Sequence, residues 1–153
     1  ATYKWVKDYL PELVGLLKTH ENYHSKEYYY QLRQKSVKTD LEKAARLIYL
    51  NKTCFNGLYR VNSKGQFNVP LGRYSKPNIC PIELLSLASE TLQLAQIKQA
   101  DFGEVLDRAT SSDDFVFFDP PYHPISSTSY FTAYSRLYSR AANYVYLELS
   151  GGN

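Results

Sequence analysis

Metal ligands are scarce in this chain. Cysteine occurs only at Cys54 and Cys80, with neither a C-x-x-C pair nor a Cys/His ligand spacing, so a zinc site is not expected and both thiols should be reduced. His20, His24 and His123 are too scattered for a metal cluster. His20 and His24 would share a helical face, but with no nearby carboxylate or third ligand they are expected at the surface. No apolar run approaches the roughly 18 residues of a membrane span, and the N-terminus shows no signal-peptide pattern. Neither a metal nor a membrane is therefore an expected partner, and the expected location is cytoplasmic.

Acidic residues are missing where basic ones gather. From Lys43 to Ile82 there are seven Lys/Arg (Lys43, Arg46, Lys52, Arg60, Lys64, Arg73, Lys76) and no acid. The net charge of +3 hides this division: residues 1–80 hold 14 basic against 6 acidic residues, and residues 81–153 hold 4 against 9. The first part is the expected polyanion-facing surface, with binding that weakens as salt rises.

The apolar share, 44%, is enough for a core in a chain of one-domain length. Trp5, Val6, Tyr9, Leu10, Leu13, Leu16 and Leu17 form a helical stripe over 3–18 that tolerates a bend at Pro11. Thr39 or Asp40 can cap a helix with Leu41, Ala44, Ala45, Ile48 and Tyr49 on its inner side. Residues 57–70 read as a hairpin with Asn62-Ser63-Lys64-Gly65 at its tip. Pro81 opens a helix over 82–94. A polar turn at Ser111 to Asp114 precedes an apolar run, and a last strand covers 144–149. The chain has fifteen tyrosines. The triplet Tyr28-Tyr29-Tyr30 reads better as packing on helical faces than as a base-stacking platform.

The apolar run is the most informative segment. Residues 115–122 read FVFFDPPY. An apolar run bounded by turn residues predicts a buried central strand, and two prolines cannot continue its ladder, so Asp119 is expected at the strand's C-terminal edge. Ligands of open α/β sheets bind there. Pro120 and Pro121 fix φ and lack N–H groups, so the carbonyls of Asp119 and Pro120 can be held as acceptors. Tyr122 adds a flat face. An amine on a heteroaromatic ring is a poor nucleophile because its lone pair is delocalised; a carboxylate and a carbonyl can draw it toward tetrahedral geometry. These parts point to methyl transfer onto an exocyclic amine, with the base first leaving its duplex.

Residues 51–74, NKTCFNGLYRVNSKGQFNVPLGRY, followed by DPPY and by Ser127-Thr128-Ser129-Tyr130-Phe131-Thr132-Ala133-Tyr134, resemble the Dam-like (D12 class, alpha-type motif order) DNA adenine-N6 methyltransferases. The resemblance implies catalytic roles for Asp119, Pro120, Pro121 and Tyr122 on a flipped adenine. It implies contact of Asp101, Phe102 and Asp119 with the cofactor, S-adenosylmethionine. It places Phe55 and Asn56 as the pair that enters the duplex, Leu58, Arg60 and Pro70 at hairpin positions that read the site, and Tyr74 near the DNA backbone. A guanidinium at Arg60 suits bidentate contact with guanine O6 and N7, and Lys64 suits phosphate. The implied partner is double-stranded DNA with a short GATC-like site, in a setting of DNA adenine methylation or restriction-modification.

The implied fold class is α/β: a partial Rossmann-like methyltransferase sheet with an inserted, mainly helical target-recognition region carrying the hairpin. Residues 1–99 would be that region, with the DNA-contacting hairpin at about 51–76, and 100–153 part of the catalytic domain. The family's N-terminal W-x-G-G-K segment and glycine-rich turn have no counterpart here. Trp5 is followed by Val-Lys-Asp, and the only Gly-Gly is Gly151-Gly152. The chain is therefore expected to be an internal or truncated portion, or one half of a split enzyme with a missing N-terminal part or complementary subunit, and to be inactive alone. Methylation of another planar amine, in an RNA base or a protein amide, and a non-catalytic DNA-binding remnant are the alternatives.

Overall fold

The computed structural model describes residues 2–105, 107, 109, 111–112, 114–117 and 143–149. The chain divides into two units, the first running through Ala95 and the second covering Gln96–Leu149.

The first unit is helical. Helices α1 (Thr2–Asp8) and α2 (Leu10–Asn22) realise the first predicted stripe, broken at Tyr9 with φ −140. The break follows from Pro11. Its ring nitrogen cannot donate to the carbonyl four residues back, and its ring crowds that carbonyl. The orphaned acceptor is Lys7 O, which instead receives Ser89 Oγ at 3.2 Å and Gln93 Nε2 at 2.6 Å from α5 (Ile82–Gln93). The proline bend thus becomes a docking point between α1 and α5. Helix α4 (Asp40–Thr53) starts with a capping box, in which Thr39 Oγ1 accepts from Glu42 N at 3.2 Å and Glu42 Oε2 accepts from Thr39 N at 3.1 Å. Such a cap contributes about 1 kcal/mol. The backbone N–H groups of Thr39 and Lys38, both donating to Glu42 Oε2, hold the Glu42 carboxyl below its usual pKa.

Helix α3 (Lys26–Gln34) is an element that periodicity did not announce, since three consecutive tyrosines present aromatic surface all round. Ser25 caps it by accepting from Tyr28 N at 3.1 Å. Arg46 closes it from α4, donating Nε to Leu32 O at 2.9 Å and Nη2 to Arg33 O at 2.6 Å. A cation at the carbonyl end of a helix is favourable. Arg46 therefore belongs to the scaffold rather than to the expected phosphate-contacting set, and Lys43 pairs with Asp40 at 2.8 Å.

Two apolar clusters result. Val6, Leu13, Leu17, Ala44, Ala45, Cys80 and Leu85 join α1, α2, α4 and α5. Tyr29, Leu32, Tyr49, Leu50, Cys54, Phe67, Val69 and Ile79 join α3 and the end of α4 to the 54–79 segment, with Tyr28 and Tyr30 packed against them. The tyrosine triplet is thus packing, as expected. Both cysteines are buried and free, and burial raises their pKa values.

His20 and His24 correct the surface expectation. His20 is buried, with Nδ1 2.7 Å from Tyr28 Oη, and His24 Nδ1 is 2.8 Å from Tyr49 Oη. Their rings pack on Tyr49 at centroid distances of 5.4 and 5.7 Å. The reason is tertiary: α3 follows α2 after a short turn and both lie on α4, covering a face that would be open on an isolated helix.

In the second unit β1 (Ala95–Asp101) pairs with β2 (Asn143–Leu149) in a two-stranded sheet. A short 3-10 turn, Phe102–Val105, follows β1. The polar turn forms as expected, with Asp114 N donating to Ser111 O at 3.2 Å and Ser111 N to Asp114 Oδ2 at 2.8 Å. The buried strand expected from Phe115 is absent over its described residues: Phe115 is 90% exposed, Phe117 78%, and residues 114–117 belong to no strand. An apolar strand is buried only when sheet neighbours and covering helices surround it, and among the described residues β1 and β2 pair only with each other.

Candidate nucleic-acid interface

Helix α4 ends by delivering the chain into a surface loop pinned at its base. Cys54 forms an antiparallel bridge with Leu71, flanked by Phe55 N donating to Pro70 O at 2.9 Å and Gly72 N to Thr53 O at 2.8 Å. Cys54, wholly buried, is the anchor. Immediately beyond it the chain makes a 3-10 turn, Phe55–Gly57, in which Asn56 (φ 52) and Gly57 (φ 60) both enter the left-handed region. Phe55 and Asn56 are exposed as a result, although the residues on either side are tied down.

The predicted hairpin is present with minimal ladder. Val61 and Phe67 form one antiparallel bridge. Asn68 N donates to Arg60 O at 3.0 Å, and Asn62 N to Gln66 O at 2.9 Å. At the tip Asn62 Oδ1 accepts from Lys64 N and Gln66 N, both at 3.0 Å, an Asx-type turn that leaves Gly65 at φ 73. The inner face is apolar, with Phe67 and Val69 buried. The returning limb is clamped to α3, where Tyr29 Oη and Arg33 Nη1 both donate to Val69 O, at 3.0 and 2.9 Å. Burial raises the Tyr29 pKa, so this donor stays protonated.

The outer face carries the residues singled out in the sequence. Leu58, Arg60, Lys64, Pro70 and Tyr74 are all exposed. Arg60 Nε is held by Asn68 Oδ1 at 2.8 Å, which fixes the guanidinium while leaving both Nη groups for an outside acceptor. Exposed apolar Leu58 beside an oriented guanidinium suits reading a base edge, while Lys64 at the tip suits phosphate. An open groove of about 880 Å³ runs beside the Phe55–Gly57 turn, lined by Asn51, Lys52, Asn56, Arg73, Tyr74 and Lys76 among others. Of the basic window, Lys52, Arg73 and Lys76 thus meet here. Asn51, Lys52, Arg73 and Lys76 were given no individual role by the sequence; the acid-free window was the signal for the three cations, and Asn51 only opens the 51–74 stretch.

Asp101 closes β1 and Phe102 opens the following turn. Asp119, Pro120, Pro121 and Tyr122, with His123, 127–134 and Gly151-Gly152, lie outside the described residues. Among the described residues no group of His, Cys, Asp and Glu could hold a metal ion, and no helix is long and apolar enough to cross a membrane.

The family model for D12 class N6 adenine-specific DNA methyltransferases matches residues 1–147. The chain belongs to that family. The match extends the resemblance of residues 51–134 through both helical clusters and into β2. Among curated methyltransferases, the chain is 45% identical over 141 residues to Type II methyltransferase M1.LlaDCHI of Lactococcus lactis subsp. cremoris, covering 87% of this chain and 49% of that protein. It is 45% identical over 116 residues to Type II methyltransferase M.MjaIII of Methanocaldococcus jannaschii, and 40% over 112 residues to a DNA adenine methylase of Vibrio cholerae. Each of the latter two matches covers 72% of this chain and 40% of the relative. The chain spans between two-fifths and half the length of these relatives.

Proposed function

We propose that this chain is the target-recognition region and part of the catalytic domain of a site-specific DNA adenine-N6 methyltransferase, acting in the cytoplasm on a flipped-out adenine in a short, GATC-like duplex site. The observation that carries this reading is the exposed Phe55–Asn56 step, pinned at Cys54 beside a hairpin whose Leu58, Arg60, Lys64 and Pro70 face solvent, in a chain of this family. Phe55 and Asn56 enter the stack, Arg60 reads guanine, Leu58 and Pro70 pack on neighbouring base edges, and Lys64, Lys52, Arg73 and Tyr74 follow the phosphates. Exposed cations without acidic neighbours bind a polyanion by releasing its counterions.

The fold of the second unit is part of a Rossmann-like sheet. S-adenosylmethionine fits one end of it: Asp101 and Phe102 stand at the carboxyl end of β1, where α/β sheets bind ligands, and an acid followed by an aromatic suits an adenosyl group. The cofactor supplies the methyl group. Asp119 and the Pro120 carbonyl accept from the adenine amine, Pro121 stiffens the turn, and Tyr122 stacks on the flipped ring. In a full-length or complemented enzyme, Asp119→Ala should abolish methylation, read as protection from a methylation-sensitive nuclease, while DNA affinity changes far less. Near-normal turnover in that variant would sink the assignment.

A further inference from the structure

The Phe55–Gly57 turn holds two consecutive residues in the left-handed region, and one of them, Asn56, carries a side chain. An Asn-Gly pair takes up such a turn readily, so what its surroundings must fix is where the turn sits against α4. The backbone bonds within the turn are long: Gly57 N to Cys54 O at 3.3 Å and Leu58 N to Phe55 O at 3.2 Å. The short bond comes from outside it, where Asn51 Nδ2 donates to Gly57 O at 2.7 Å. Asn51 sits near the end of α4, the helix whose buried Tyr49, Leu50 and Thr53 fix it in the core. The amide thus ties the far side of an exposed turn to a rigid element, and the two asparagines line the same groove.

We propose that Asn51 is a positioning residue for the step that enters the duplex. Its side chain holds Phe55 and Asn56 in the backbone geometry they show without DNA, so the gap left in the stack is filled without reorganising the loop. The inference rests on the DNA reading above and adds a residue that acts through backbone rather than by touching nucleic acid. It also separates entry into the stack from phosphate attraction. Asn51 carries no charge, so its loss should alter the first and spare the second.

The test uses this chain and two synthetic duplexes of one sequence, one intact and one with a central tetrahydrofuran abasic position. A side chain that fills the stack should favour the abasic duplex, because no base has to be unstacked there. Asn51→Leu removes the donor at similar size, with a residue at least as good in a helix; Asn51→Ala runs in parallel as a change without added apolar bulk. Both are expected to lower the abasic-to-intact affinity ratio by roughly 2- to 10-fold, the range for one hydrogen bond. The salt dependence on intact DNA should stay at the wild-type value, and the thermal midpoint should fall by no more than about 6 °C, the loss of one hydrogen bond. An unchanged ratio in both variants overturns the inference. Equal binding of the two duplexes by wild type overturns it too while the DNA interface stands, whereas absence of salt-dependent binding to either duplex overturns the DNA reading itself.

Discussion

Gly72→Ala should damage the interface although Gly72 itself is not proposed to meet DNA. A Cβ at position 72 would clash with the Tyr74 ring and lie 2.8 Å from Cys54 O. The two clashes differ in kind. Tyr74 is exposed and can rotate away at small cost. Cys54 O cannot, because Cys54 is wholly buried, its N donates to Leu50 O at 2.8 Å, and the next N donates to Pro70 O at 2.9 Å. The strain must open the pairing of 53–55 with 70–72, weakening the bonds Phe55 N to Pro70 O and Gly72 N to Thr53 O. At roughly 0.5–1.5 kcal/mol each, and within the range for overpacking, the loss should be about 1–3 kcal/mol. Thermal melts of this chain should show it as a midpoint lower by roughly 4 °C per kcal/mol. DNA affinity should fall as well, because Tyr74 is displaced and the Phe55–Asn56 turn loses its base. A variant with the wild-type midpoint and wild-type binding would show that the 54–71 bridge does not position the loop.

Arg60→Ala should lose on the order of 1–3 kcal/mol of discrimination at one base pair, whereas Lys64→Ala should weaken binding to all sequences alike and flatten the salt dependence; equal, sequence-independent losses in competition binding would make Arg60 a phosphate contact only. Stability should depend on pH through the histidine–tyrosine cluster. Burial depresses the His20 pKa below 6.5, with Lys35 adding to it, and burial likewise depresses that of His24. A folded-state pKa below the unfolded one means that the unfolded chain binds more protons. This contribution is therefore complete above 6.5 and is lost as pH falls through the depressed values. Tyr28 and Tyr49, whose pKa values are raised by burial, stay protonated throughout. Urea midpoints taken from pH 7.5 down to about 5, above the window in which Asp40 and Glu42 titrate, should decline, and His20→Gln should flatten the slope; a wild-type midpoint constant over that range would refute the assignment.

Local chemistry determined much of this protein. The Thr39 capping box, the bend at Pro11, the Asn62–Gly65 tip and the helix after Pro81 follow from residues a few positions apart, and each appears where its sequence signal stands. The family was legible in residues 51–74 and DPPY, because those residue types stand together in a fixed order. Tertiary structure decided the rest. Whether His20 and His24 meet water depends on α3 folding back over α4, and whether Arg46 is a free cation or the closing cap of α3 depends on the same contact. The apolar run from Phe115 was read as buried, yet burial belongs to neighbouring strands rather than to the run itself, and no strand pairs with its described residues. The role of Asn51 was not legible in the sequence, since only the left-handed turn at Asn56 and Gly57 brings a carbonyl within 2.7 Å of its amide. Spacing along the chain sets helices, turns and motifs; distances between residues remote in sequence, which exist only after packing, set which polar groups stay exposed on the hairpin and which are used to hold the loop beside it.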